Sequence, residues 1–366
     1  MLFTGNILMI MVETANLDSF IRPIQIFYPI QPLMKLNDNS YFKLFANNIL
    51  VKGYANSIIM DTQRNGYLPI SNLLSDVLES GKNSKTIYEI KRKFGGKYNT
   101  GIDSYFSYLI NAEYGFVTDE PSVFPEINTE YYSPFAILTA VIVIGEKSNF
   151  SLHDLLLQLI ELGCQLVQIR IFKTVDIEAL NTELLCLIGS RVKLVEVFIP
   201  NSDYNINTIK KITNSNPRLK FIIYGKKAPF INDNGDSLYF AEKKLTVNQK
   251  EIISPSHFVS NLSFYIESKN RNVGLNQKVS IDIGGEIKNY VNHETTYGNV
   301  QNTKIKDVIF GQDFQKKWLI KNDDVEKCKV CEFRYMCLSN SDIIKIDHKY
   351  LKVDTCGYNP YMGVWG

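Results

Sequence analysis

The sequence predicts an α/β protein built from three unlike parts, and three observations carry that expectation. Between residues 134 and 230, apolar strand-like runs alternate with amphipathic helical runs. Ahead of them, short strands and three short helices fill residues 41–120. Behind them, four of the six cysteines fall within the last 40 residues. A chain of 366 residues has room for two or three domains and a sizeable core.

Residues 1–40 read as an extension. The apolar run Leu2–Val12 has no basic flank and is far shorter than the roughly 20 residues of a membrane-spanning helix. Neither a signal peptide nor a transmembrane segment is expected, and the expected location is the cytoplasm. Pro23, Pro29 and Pro32 interrupt any helix there, and Met34 is an alternative start.

Within residues 41–120, Ile49–Val51 and Ser57–Met60 read as strands joined near Gly53. Leu73, Leu74, Val77 and Leu78 mark one helical face, and Ile87, Ile90 and Phe94 a second, with Ser84 as its expected N-cap. After Gly95-Gly96 a third helix is expected from about Asp103, burying Phe106, Leu109 and Ile110, and Gly115-Phe116-Val117 follows as a strand. Strand, strand, three helices, strand is the order of a winged-helix-like domain. The Pro- and Glu-containing stretch from Asp119 to Pro134 reads as a linker.

Residues 134–260 are expected to form a partial (β/α) barrel or a doubly wound sheet. Ile137–Ile144 is almost continuously apolar, the mark of a strand buried on both faces. Leu152, Leu155, Leu156, Leu159 and Ile160 line one helical face. Strand Leu166–Phe172, helix Ile177–Ile188, strand Leu194–Ile199, helix Ile206–Thr213 and strand Leu219–Tyr224 continue the alternation. Short connections between alternating strands and helices imply a parallel sheet with right-handed crossovers.

In residues 261–366, Lys278–Ile283 and Glu286–Asn289 flank Gly284-Gly285, a hairpin signal because such turns need positive φ. A helix is expected over Thr303–Phe310. The cysteine cluster follows. Cys328 and Cys331 form a CxxC pair, Cys337 comes after five intervening residues, and Cys356 returns nineteen positions later. A CxxC turn sets two thiolates on one side of a tight knuckle, and four thiolates complete a closed metal site. Soft sulfur selects zinc or iron–sulfur iron, and the spacing taken alone favours zinc. Lone core cysteines, such as Cys164 and Cys186 in their apolar runs, do not cluster in this way.

Other chemistry is thinly represented. His153, His257, His293 and His348 stand singly, without metal-ligand spacing. No phosphate-loop or dinucleotide fingerprint occurs. Asp323-Asp324 reads as a solvated helix-end pair, and Arg334 either balances the charge of a metal centre or pairs with Glu332 on the surface. Net charge is +2, from 40 basic and 38 acidic residues scattered along the chain. Without clustered basic charge, neither nucleic acid nor a membrane surface is an expected partner.

Three stretches resemble one family. They are the cysteine pattern with the ending Cys356-Gly-Tyr-Asn-Pro-Tyr-Met-Gly-Val-Trp365, the hairpin Lys278–Asn289, and Tyr41-Phe-Lys-Leu-Phe with Val51-Lys-Gly and Ser57–Arg64. Together they resemble the SPASM-domain peptide maturase of grasp-with-spasm systems, which accompany an ATP-grasp ligase and a small ribosomal precursor peptide. A full SPASM domain of that kind binds two [4Fe–4S] clusters. Here Gly285 matches the pattern, but Tyr290 and Ser341 stand where cysteines of the first cluster belong. The ligands of the second map onto Cys328, Cys331, Cys337 and Cys356, so the resemblance implies one [4Fe–4S] cluster, with zinc as the alternative.

A second departure concerns the three-cysteine CX3CX2C loop of radical S-adenosylmethionine enzymes. The corresponding loop, Gly145–Phe150, has no cysteine, and the glycine-rich turn after the second strand is replaced by Phe172-Lys-Thr174. The expectation is therefore a degenerate radical-SAM-like middle part, a C-terminal SPASM-type domain, and an accessory protein rather than an enzyme. The rivals are a peptide-modifying enzyme using the cluster and an interaction module with a structural zinc knuckle. Winged-helix domains in peptide-maturation systems resemble leader-recognition modules, in which a peptide adds a strand to a sheet edge. The candidate groove lies between the strand at Ser57–Met60 and the helix at Asp103–Ile110. Ser57, Ile58, Phe106 and Leu109 are its candidate contacts, unless these residues simply close a small core.

Overall fold

The alternation of sequence patterns becomes a seven-stranded and a three-stranded sheet, with three two-stranded pairs beside them. The computed structural model describes residues 36–82, 84–225, 237–242, 244–247 and 252–366. The expectations for residues 1–35, the Met34 start included, lie outside the described residues.

The N-terminal unit contains five strands rather than three. They are β1 (Tyr41–Leu44), β2 (Asn48–Lys52), β3 (Ser57–Asp61), β4 (Gly66–Ile70) and, after three helices, β5 (Gly115–Thr118). β2, β3 and β4 form an antiparallel sheet in that order, while β1 pairs with β5. β4 escapes a sequence reading because Pro69 breaks its pattern; as an edge strand it tolerates a residue without an N–H. The helices are α1 (Asn72–Lys82), α2 (Ile87–Lys93) and α3 (Asn99–Asn111). The cap of α2 is Thr86, not Ser84. Thr86 Oγ1 accepts from the Glu89 N–H at 3.2 Å, and the Thr86 N–H donates to Glu89 Oε2 at 2.8 Å. Ser84 has φ of 51°, outside the conformation an N-cap needs.

The middle sheet has seven strands, nearly all parallel. β6 (Thr139–Ile144), β7 (Leu166–Ile171), β8 (Leu194–Pro200), β9 (Leu219–Tyr224) and β10 (Leu238–Ala241) lie side by side in chain order. The helices between them, α4 (Leu152–Glu161), α5 (Ile177–Leu184) and α6 (Ile206–Ser215), pack in a row against one another. Strands added in one direction put their crossovers on one face, as in part of a barrel. Past α7 (Leu262–Asn270), β11 (Lys278–Ile281) comes back parallel to β6, and β12 (Ile287–Lys288) pairs with it across the Gly284-Gly285 turn. The predicted hairpin thus belongs to the sheet of the preceding segment. β10 and β12 remain its edges among the described residues.

The face opposite the helices is not uniformly apolar. Pairing aligns Lys220, Glu196, Gln168, Val141 and Ser280 across five strands. Gln168 Nε2 donates to Glu196 Oε2 at 2.9 Å, Arg170 Nε to Gln168 Oε1 at 2.7 Å, and Arg170 Nη2 to the Tyr290 hydroxyl at 2.8 Å. Gln168, Glu196, Arg170 and Tyr290 therefore find partners, whereas the buried Ser280 hydroxyl has none among the described residues. The chain ends with α8 (Ile305–Ile309), α9 (Gln312–Leu319) and the hairpins β13 (Ile343–Ile346) with β14 (Lys349–Lys352) and β15 (Tyr358–Asn359) with β16 (Val364–Trp365). No helix among the described residues is long and apolar enough to cross a membrane.

Candidate metal centre

A CxxC segment is a site only if its backbone turns and its later partners return to it. The Cys331 N–H donates to the Cys328 carbonyl at 2.9 Å and closes the first turn. The Cys337 N–H donates to Phe333 O at 3.0 Å and closes the second. Cys337 bridges antiparallel to Phe258, and Cys356 bridges parallel to Ile253, so a segment just before α7 holds both later cysteines in place. Lys327 Nζ donates to the Cys356 carbonyl at 3.2 Å.

All four cysteines line one small cavity of about 40 Å³. Its remaining wall is largely aromatic. Phe258 stacks on Phe333 at 4.7 Å, Phe333 meets Tyr358 edge-on at 5.0 Å, and Tyr358 lies 4.9 Å from Trp365. None of the six cysteines is in a disulfide. Among the described residues, no three or more His, Cys, Asp or Glu side chains are arranged to hold a single metal ion. A lone zinc would need its sulfurs at about 2.3 Å. Four soft sulfur donors are by their chemistry ligands for zinc or for iron–sulfur iron.

Burial pushes the Cys331 thiol well above its ordinary range, and nearby Glu332, Cys337 and Cys328 add to that. A metal ligand must be a thiolate, so a bound cation would displace this proton and supply the missing counter-charge. Cys164, buried in the central core, is pushed up to about 12 by desolvation alone among the raising effects and has no second thiol beside it in that role.

Arg334 does not pair with Glu332 on the surface, although it does line the cysteine cavity. Glu332 is buried, with its carboxylate accepting from the Tyr358 hydroxyl. Arg334 instead donates through Nε to Asp323 at 3.2 Å, and through Nη1 to the Cys331 and Lys52 carbonyls at 2.8 Å each. It ties the knuckle to strand β2. Asp323 also accepts from the Tyr335 hydroxyl at 2.9 Å, while Asp324 caps the turn at the Lys321 N–H. The two aspartates thus have separate local duties.

The β2–β3 turn is seated directly on the knuckle. The Tyr54 N–H donates to Val330 O at 2.8 Å and the Ala55 N–H to Pro360 O at 3.2 Å. At Gly53, an added Cβ would lie 2.6 Å from Asn56 O and 2.8 Å from the Glu332 amide nitrogen. Gly53→Ala should therefore lower stability by about 1–3 kcal/mol, read as a denaturant midpoint. Gly101→Ala, in α3 with open space around it, should raise stability by about 0.5–1 kcal/mol. Equal effects at the two positions would refute the close seating of the turn.

The four candidate peptide contacts do not form an open groove. Ser57, Ile58, Phe106 and Leu109 are each at most 1 % exposed. Phe106 stacks on Phe42 at 4.2 Å and packs with Leu109 and Ile59 between sheet and helices. Ile58 points the other way, into a second cluster with Phe258, Phe333, Met336 and Tyr358. β3 is paired on both sides and has no open edge. A sequence reading missed Ile253, Phe258, Tyr358 and Trp365 as cavity walls. Their only local signal is the density of aromatic residues around the cysteines.

No protein-family model matches the chain, and no curated protein matches it.

Proposed function

We propose that the protein is a metal-bound accessory of ribosomal-peptide maturation. In this reading a winged-helix-like N-terminal unit grips the precursor and an ATP-grasp ligase acts on the same peptide. A SPASM-type knuckle holds one [4Fe–4S] cluster through Cys328, Cys331, Cys337 and Cys356. The observation that carries it is the convergence of these four thiols on one aromatic-walled cavity. A cluster closed by four protein sulfurs supplies structural order or electron transfer and leaves no open iron for a substrate.

The loop after β6 supports an accessory role over radical chemistry. It carries no cysteine, and it is tied to the β11–β12 turn through Gly145 and Ser148. Ser148 Oγ donates to the Ile283 carbonyl at 2.8 Å, and a Cβ at Gly145 would lie 2.3 Å from Ile283 Cδ1. The cysteine knuckle, for its part, braces the N-terminal sheet, so metal loading and the order of that sheet are linked.

Protein purified without oxygen should be brown and contain about four iron and four acid-labile sulfide per chain. Cys331→Ala should abolish the colour, and Cys164→Ala should leave it. Colourless protein with one zinc per chain would replace the cluster with a zinc interaction module. Formation of 5′-deoxyadenosine that survives repurification and disappears in Cys331→Ala would make the protein an enzyme.

A further inference from the structure

The register of the N-terminal sheet leaves one strand edge unsatisfied. The Gly53 N–H donates to Asn56 O and closes the β2–β3 turn, and the Thr62 N–H donates to Asn47 O at the far end. Between these, antiparallel alternation makes Val51–Ile58 and Ile49–Met60 the hydrogen-bonded pairs. Asn48, Leu50 and Lys52 then present their main-chain groups away from β3. The Asn48 N–H already donates to Phe45 O, and the Lys52 carbonyl already accepts from Arg334. The Leu50 N–H and C=O have no partner among the described residues. β2 has no strand on that side.

A groove of about 780 Å³ runs along this edge, a size typical of ligand sites. Its aromatic wall is Phe45, Phe116 and Phe124, with ring centroids 5.2 and 4.7 Å apart. Phe45 and Phe124 are each about two-fifths exposed, unusual for such large rings. The outer wall is the linker after β5, held in place by Lys43 Nζ, which donates to Pro121 O at 3.0 Å and Phe124 O at 2.8 Å. Of the lysines lining the groove with Glu126, Lys43 is bonded to the linker and Lys269 to the Tyr335 hydroxyl at 3.1 Å, while Lys82 is exposed.

We propose that this groove binds a short extended peptide segment of alternating apolar and acidic residues, which adds as a strand to the outer edge of β2. It rests on the peptide-binding reading and moves the contact away from the β3–α3 space. Leu50 supplies the main-chain pairing and fixes the register. The aromatic wall takes the apolar side chains on one face of the strand, and Lys82 meets an acidic one on the other. Only about three residues can pair, because Asn48 and Lys52 are partly committed at either end.

The test uses the full chain, loaded with metal, and a labelled decapeptide of alternating valine and glutamate carrying one photo-crosslinker. The expected result is saturable binding, cross-links to residues 44–50 and 116–129, and weakening at high salt. Lys82→Glu, at the exposed end of α1, should weaken binding about three- to ten-fold with an unchanged melting temperature. A central proline in the probe should weaken it about five-fold by removing a ladder donor. Equal binding of a valine–lysine decapeptide would overturn the proposal, as would cross-links confined to other residues. In a probe-free control with an amine-reactive cross-linker, links from residues 1–35 to Lys43 or Lys82 would also overturn it, by making the chain's own N-terminus the occupant. If the decapeptide fails to bind while iron and sulfide are present, the groove assignment falls and the metal-bound accessory reading stands.

Discussion

Phe106→Ala should lower the stability of the protein by about 3–5 kcal/mol, because it empties a fully buried ring position. The ring is stacked on Phe42 in a core that also holds Ile59, Leu68, Leu74, Ile87, Ile90 and Leu109. Leu109→Ala should cost about 2–5 kcal/mol for the same reason. Neither change should touch peptide binding beyond the fraction of protein it unfolds. Ile58→Ala removes packing from the opposite face of β3, against Phe258, Phe333 and Met336, so it should also loosen the cysteine knuckle. Urea midpoints together with metal retention would check this. A Phe106→Ala protein of normal stability that no longer binds peptide would return the site to the β3–α3 space.

The second large effect is a loss of stability between about pH 4.5 and 7 to which the buried Glu267 carboxyl contributes. Burial pushes Glu267 up to about 7, against the opposing pull of the Asn276 amide, Lys278 and Arg271. Asn276 Nδ2 donates to Glu267 Oε1 at 2.8 Å and to the Tyr131 hydroxyl at 3.0 Å, so the carboxyl sits where the linker is fastened to α7. The folded state holds this proton more tightly than the unfolded chain, whose Glu titrates near 4.3. The stabilisation is therefore complete below that value and is lost as pH rises through about 7, a difference of about 3 kcal/mol. Glu267→Gln keeps an acceptor for Asn276 and removes the titration. Its melting temperature should change less than the wild type's between about pH 5 and pH 8. An unchanged pH profile in the variant would show that another group is responsible.

The elements most legible in the sequence are those whose burial is one-sided or complete. α4 declares itself through Leu152, Leu155, Leu156 and Leu159, and β6 to β9 through unbroken apolar runs; each lies within a few residues of its expected bounds. β1 and β4 were illegible because each is four or five residues long and lacks a clear alternation, and β4 carries a proline. β3 was ambiguous. Its apolar run Ser57–Met60 suits either one wall of a peptide groove or a small closed core, and the structure takes the second: all five residues of β3 are buried, with helices on one face and the cysteine segment on the other.

Spacing alone determined that Cys328, Cys331 and Cys337 share one knuckle, because tight turns bring near neighbours together whatever the rest of the chain does. Strand–helix alternation likewise determined a parallel sheet, since short crossovers leave the chain no other direct route. Tertiary structure decided the rest. Cys356 reaches its partners through pairing with Ile253, a residue 103 positions earlier in the chain. β11 finds its neighbour in β6 across more than 130 residues, and Arg334 finds Lys52 across 282. Such contacts depend on which apolar faces meet once the sheets have formed, and local periodicity carries no record of that choice. The open edge of β2 is decided in the same way. Nothing in Asn48–Lys52 marks Leu50 as unpaired until hydrogen bonding along the neighbouring strand sets which groups point outward.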